Sequence, residues 1–327
     1  MFKRRVGIVL VAVLALGLGA ELAAQGLLDS VHIPKYQAGL VIPPAMPARA
    51  KLFFLDYYEI AVRQFKQQIL PLGFALPTTV WSYGPAWESA ADNEGLHATA
   101  GGHYFYPAFT IEARSKKPVR IKWVNELKTG SGAYRPHLLP VDPTLHWANP
   151  PGGMMGRDMR PEFTDTPGSY TGPVPMITHL HGAVGVGDES DGYTEAWYLP
   201  AANNIPAGYA TVGTWHQFFK VKAQLKFFQR WGDGYAVFQY PNDQRAATLW
   251  YHDHTLGMTR LNVYAGPAGF YLVRGGTQDL ALGYNPPSET LGVGVDPSRI
   301  ITEVPIAIQD RSFKTDGSLF YPDTRGF

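Results

Sequence analysis

Leu249-Trp250-Tyr251-His252-Asp253-His254-Thr255 is the stretch on which the fold turns. Three large apolar residues lead into two histidines separated by one residue. In a strand, residues i and i+2 point to the same face, with Cα atoms roughly 6.5–7 Å apart. Upstream, Ile177-Thr178-His179-Leu180-His181-Gly182 repeats the pattern. The chain has 10 His in 327 residues, and random placement predicts about 0.3 such pairs. Two imidazoles on one face can grip one metal or reach two neighbouring metals. Two such strands side by side are expected to converge four imidazoles on one spot, and imidazole suits Cu, Zn, Fe and Ni. A zinc hydrolase site is an alternative, although there is no His-Glu-X-X-His helix.

Outward from these motifs, other segments also read as short strands. Val119, Ile121 and Trp123 alternate with Arg120 and Lys122, the period of a half-buried strand. Phe270 to Val273 follows the turn residues Gly266-Pro267-Ala268-Gly269, and Ile301 to Ile308 is another strand-like run. Tyr58 to Leu70 is ambiguous. Its Tyr58, Val62, Phe65 and Ile69 have helical spacing, yet the aromatic start and Pro71 fit a strand and turn. Leu138–Gly153 and Pro200–Gly213 read as long surface loops, and Gly275–Pro297 as an interdomain linker. No internal repeat is visible. The expected fold class is all-β, a sandwich or Greek-key β-barrel with long loop insertions.

Composition sets limits on function. Hydrophobic residues make up 45% and charged residues 17% of the chain, which excludes an intrinsically disordered protein. A net charge of +1 gives no reason to expect nucleic acid or an anionic membrane surface as partner. The absence of Cys excludes disulfides, zinc ribbons, iron–sulfur clusters, a thiol nucleophile and a thiolate-ligated copper. Met1-Phe2-Lys3-Arg4-Arg5 precedes the uncharged run Val6 to Ala20. That run is shorter than the roughly 18–20 residues of a membrane span. Residues 1–24 therefore read as an export signal cleaved near Ala24, with an uncleaved anchor as the alternative. Export to the periplasm or outside the cell follows, with no stable membrane span after cleavage. The Arg4-Arg5 pair permits a twin-arginine route.

The remaining candidates carry weaker signals. His97, His103 and His216 read as solvent-exposed loop residues, and His146 as a surface residue or pocket lining. Asp188-Glu189-Ser190-Asp191-Gly192 reads as a solvated turn, or Asp191 as a carboxylate that handles protons beside a metal. Asp253, between two histidines, should face away from them. Met154, Met155 and Met159 are either soft copper(I) ligands or side chains that fill gaps or pack a loop.

Thr178–Gly182, Ser190-Asp-Gly-Tyr-Thr-Glu-Ala-Trp197, Leu249–Thr255 and Thr259-Arg-Leu-Asn-Val-Tyr-Ala-Gly266 together resemble the multicopper oxidases. Within that family they resemble the bilirubin oxidase and spore-coat laccase branch. Ile33-Pro-Lys-Tyr36, Ile42-Pro-Pro44, Ile308–Phe313 and Asp316–Pro322 extend the match. It lapses in the leader, around Pro85–Tyr104 and around Pro200–Phe228, which look like insertions.

The resemblance implies cupredoxin-like β-barrels holding copper. By motif, His179 would bind the type 2 copper. His181 and His252 would share one type 3 copper, and His254 would bind the other. Asp191 matches the family's acidic residue near the cluster. The implied activity removes single electrons from phenols, pigments or metal ions and reduces oxygen to water.

The family's remaining His-X-His pairs and its Cys are not in this sequence. The expectation is an N-terminal portion: a signal (1–24), a first cupredoxin-like domain (25–275), a linker (276–300) and the beginning of a second (301–327). It would carry half of the trinuclear ligands, no type 1 site and no activity alone. A C-terminal cupredoxin half would be its partner. The alternatives are a non-catalytic copper-binding module or one half of a split oxidase.

Overall fold

A computed structural model describes residues 26–87, 104–161, 168–275, 294–296 and 301–323. The expected export signal, His97, His103 and most of the expected linker lie outside these residues.

Nine strands form two sheets. The first contains β1 (Ala50–Lys51), β2 (Asp56–Gln67), β5 (Val119–Asn125) and β7 (Tyr235–Tyr240) in that order, with β3 (Thr78–Pro85) also paired to β2. The second runs β4 (Ala108–Arg114), β9 (Ala268–Arg274), β8 (Ala247–Asp253), β6 (Thr178–His181). Contacts β2–β5 and β4–β9 are parallel, and the others are antiparallel. The chain crosses from sheet to sheet at β4, β5, β6, β7 and β8, so most neighbours in a sheet are distant in sequence. This is the expected all-β, cupredoxin-like architecture.

In β5, Val119, Ile121 and Trp123 are buried while Arg120 and Lys122 are half-buried, as the period of two predicts. The ambiguous Tyr58–Leu70 stretch is mostly strand β2. Its helical spacing is overridden by two long pairings, Ile60–Gln67 with β3 and Asp56–Val62 with β5. The core between the sheets is aromatic. Tyr83, Trp123 and Tyr251 sit with ring centroids 5.3–5.4 Å apart.

Two readings are corrected, and a third agrees with the structure. Leu138–Gly153 is not wholly a surface loop, because Leu139, Val141, Trp147 and Ala148 are buried and Trp147 packs on Tyr170. Pro200–Gly213 is an irregular loop, exposed or half-buried over most of its length, as expected, with a backbone bond from Leu199 N–H to Thr211 O (2.9 Å) at its base, and it leads into a helix, His216–Phe227. The run Ile301–Ile308 is strand only over Ile301–Glu303, paired with Gly294–Asp296; Pro305 has no N–H to extend the ladder. A last hairpin, Ser312–Phe313 with Leu319–Phe320, buries Phe313 and Leu319 and bonds to Leu28 and Thr78.

Candidate metal centre

Strands β6 and β8 run antiparallel with His179 opposite His252 and His181 opposite Trp250. His254 lies one residue beyond β8, and its N–H continues the ladder to Ile177 O at 2.7 Å. All four histidines occupy one face. The alternate residues Leu180, Tyr251 and Asp253 are buried on the other, and a one-residue slip would exchange the two sets. The imidazole centroids are 5.6 Å apart for His179–His181, His179–His252 and His181–His252, 5.8 Å for His252–His254 and 4.6 Å for His179–His254.

The sequence expectation of convergence on one spot needs correction. Among the described residues, no three His, Asp or Glu side chains close around a single point.

Ring orientation is set from the backbone. His179 Nδ1–H donates to Asp191 O (2.5 Å), His252 Nδ1–H to Asp253 O (2.7 Å) and His254 Nδ1–H to Gly192 O (2.8 Å). Each bond fixes the tautomer and leaves the Nε2 lone pair for a ligand bond. His181 differs, with its Nδ1 3.4 Å from His252 Nε2. Two nitrogens bound at 2.0–2.1 Å to one tetrahedral ion lie about 3.3–3.4 Å apart. The unpaired Nε2 atoms are donors of the kind an imidazole-binding metal takes.

Burial pushes the His252 imidazole down to about 4 and also lowers His179, where Asp191 opposes the shift and His254 and His181 add to it. Both are neutral near pH 7, so a metal ion there displaces no proton from them. Burial raises the Asp191 carboxyl, while His179 and His254 restrain it. Its Oδ1 lies 3.5 Å from His179 Nδ1.

The turn Asp191-Gly192 thus supplies two of the orienting carbonyls. Gly192 has φ +79°, and a Cβ there would overlap Thr178 O and lie 2.9 Å from His179 Cα. Glycine is needed for both the conformation and the close approach. The cluster is not the solvated turn expected. Glu189 is buried and paired with Lys226 (2.7 Å), and Ser190 Oγ accepts from Gln239 N–H (3.1 Å).

Asp253 faces away from the rings, as expected, into a network that sequence reasoning missed. Its carboxylate accepts from Ile177 N–H (3.1 Å), Thr255 N–H (3.1 Å), Thr255 Oγ1–H (2.8 Å) and Asn262 Nδ2–H (2.9 Å). Asn262 Oδ1 in turn accepts from His137 Nε2–H (3.0 Å). These bonds clamp the strand ends that carry both pairs. Asn262 lies in the Thr259–Gly266 motif, the only local signal of its importance. Trp250 stacks on His252 (4.1 Å) and His181 (5.2 Å), and it also borders a cavity of about 500 Å³ that no histidine lines.

Other candidates fall outside the cluster. His216 is buried rather than exposed, between Tyr198 and Trp231, with Nε2 unpartnered. His146 is exposed, with Nε2 bonded to Asp158 O. Met154, Met155 and Met159 are all exposed, which corrects their reading as gap-fillers.

No family profile matches the chain. It is 31% identical over 295 residues to a laccase of Bacillus stratosphericus, covering 89% of this chain and 41% of that protein. A laccase of Bacillus subtilis (strain 168) is 30% identical over 295 residues, covering 89% and 40%. The Haloferax volcanii laccase is 30% identical over 298 residues, covering 90% and 38%. The chain thus spans about two fifths of the length of the curated relatives it matches. Among solved structures, a multi-copper oxidase from Pediococcus acidilactici aligns with TM-score 0.48 at 17% identity, covering 88% of this chain and 37% of that one. McoA multicopper oxidase from Aquifex aeolicus aligns with TM-score 0.44 at 18% identity, covering 88% and 38%.

Proposed function

The chain belongs to the multicopper oxidase family, and from that premise we propose that it carries half of the copper ligands of a laccase-like oxygen-reducing site. The observation that carries this reading is the register of β6 on β8. It sets His179 opposite His252 and gathers four imidazoles, three with Nδ1 held by backbone carbonyls. In the proposed assignment His181 and His252 hold one type 3 copper, His254 holds the other, and His179 holds the type 2 copper. Bound copper would supply one-electron redox chemistry, coupling oxidation of a phenol, pigment or metal ion to reduction of oxygen to water.

The chain's own residues orient and tune. The Asp191 and Gly192 carbonyls aim His179 and His254. Burial keeps His252 and His179 unprotonated at neutral pH. Asp191, beside His179, is placed to hold a proton or pass one on. The Asp253–Asn262–His137 network keeps the two strands in register. The domain division at 275 and 301, an exported location and a C-terminal cupredoxin partner belong to the same proposal.

A second reading, a copper-binding module without catalysis, is favoured by one feature. With no Cys in 327 residues, this chain has no thiolate-ligated copper to accept electrons.

Calorimetric titration with copper(II) tests the ligand assignment. His179→Ala, His181→Ala, His252→Ala and His254→Ala should each weaken binding at least tenfold, whereas the exposed His146→Ala should not. Equal losses in all five would show adventitious binding and defeat the proposal.

A further inference from the structure

The helix His216–Phe227 lies in the stretch around Pro200–Phe228 where the family resemblance lapses, and no role at the metal centre absorbs it. Its inner face is buried through His216, Phe219 and Ala223. Its outer face is also apolar: Phe218, Val221, Leu225 and the capping residue Phe228 are 53%, 45%, 75% and 86% exposed. At 100° per residue these four fall within one quadrant, opposite the buried three. A helix with an exposed apolar face opposite its buried one calls for a second apolar contact. Trp215 and Tyr193 extend the patch, with Trp215 packed on Phe218 (5.5 Å) and Tyr193 next to it (6.2 Å).

Charge narrows the choice of occupant. From Trp215 to Gly232 there are Lys220, Lys222, Lys226 and Arg230 and no acidic residue. This one segment carries +4 in a chain whose net charge is +1, so the whole-chain value conceals it. Lys222 pairs with Asp188 and Lys226 with Glu189, anchoring the helix to the turn that orients His179 and His254. Lys220 and Arg230 have no carboxylate partner among the described residues. Exposed Trp, Phe and Leu flanked by Lys and Arg is the composition of a helix lying in the interface of an anionic bilayer. Among the described residues no helix is long and apolar enough to cross a membrane.

We propose that the outer face of His216–Phe227, with Trp215 and Phe228, docks the protein onto an anionic lipid surface. The test is flotation of the full chain with vesicles of phosphatidylglycerol and phosphatidylethanolamine, against vesicles of phosphatidylcholine alone. Binding should favour the anionic vesicles and weaken with added salt. Phe218→Ser with Leu225→Ser should lower the partition coefficient about 100-fold, from the apolar area withdrawn. Lys220→Glu with Arg230→Glu should lower it about tenfold or more. Both pairs are exposed or half-exposed, and unchanged urea unfolding would show the fold intact. Absence of vesicle binding would overturn the proposal. So would equal binding by the Ser variant, or a dimer in solution that the Ser variant dissolves, which would identify a second copy as the occupant.

Discussion

Replacing Gly192 with alanine isolates the link between the turn and the metal centre. At φ +79° the new Cβ would overlap Thr178 O and lie 2.7 Å from the Thr178 carbonyl carbon and 2.9 Å from His179 Cα. Carbon atoms pack comfortably at about 3.5–4.0 Å, so the turn or β6 must retreat by about an ångström. Overpacking of that size costs about 1–3 kcal/mol, and the left-handed backbone about 1–2 kcal/mol more. The expected loss of stability is roughly 2–5 kcal/mol. The same retreat withdraws Gly192 O from His254 Nδ1 and Asp191 O from His179 Nδ1, bonds of 2.8 and 2.5 Å. Loss of such orienting partners weakens metal affinity about 10–100-fold. Gly185→Ala is the control, because its φ is +72° but the nearest atom, Pro241 Cγ, is 3.8 Å from the Cβ position. It should lose only the conformational cost and keep its copper affinity. Urea unfolding and copper(II) calorimetry on both variants are the assays. If Gly192→Ala matches Gly185→Ala in both measurements, the proposed coupling between turn and imidazoles is refuted.

Two further outcomes are expected. Asn262→Leu should cost about 2–4 kcal/mol, because it strips partners from buried Asp253 and from His137, and it should weaken copper binding as the strand ends loosen; wild-type affinity in the folded variant would count against the network. Burial holds His216 at about 4, below the ordinary 6.5. The fold therefore favours its neutral form, and the stability it contributes is full above pH 6.5 and lost as pH falls toward 4. Over that window the loss is about 3 kcal/mol at 1.36 kcal/mol per pH unit. Urea titrations at pH 7 and 4.5 should show His216→Phe losing less stability than wild type, while an unchanged difference would contradict the assignment. His137, also held at about 4 by burial, continues to contribute in that variant.

The paired histidines were legible because a strand's period of two is local. So was β5, whose alternation survives unaltered in the fold. What could not be read was pairing across sequence distance. The register of His179 on His252 decides whether the rings meet at one point or spread over several, and nothing within either motif specifies it. Tyr58–Leu70 satisfies two periodicities at once, and only β3 and β5 decide between them. His216 follows Gly213 and carries aromatic neighbours, which suggests a loop; Trp231 and Tyr198 bury it from elsewhere. Glu189 looks like part of a solvated acidic turn until the helix presents Lys226. Asn262 and His137 are separated by 125 residues, so their bond has no sequence signature.

The central claim is that these four imidazoles carry copper, and diffraction from copper-loaded crystals at the copper absorption edge tests it most directly. The account predicts anomalous density between His181 Nδ1 and His252 Nε2, about 2.0–2.1 Å from each, and further density at Nε2 of His179 or His254. Copper found only at exposed side chains such as His146 or Met155, with the four rings bare, would contradict it.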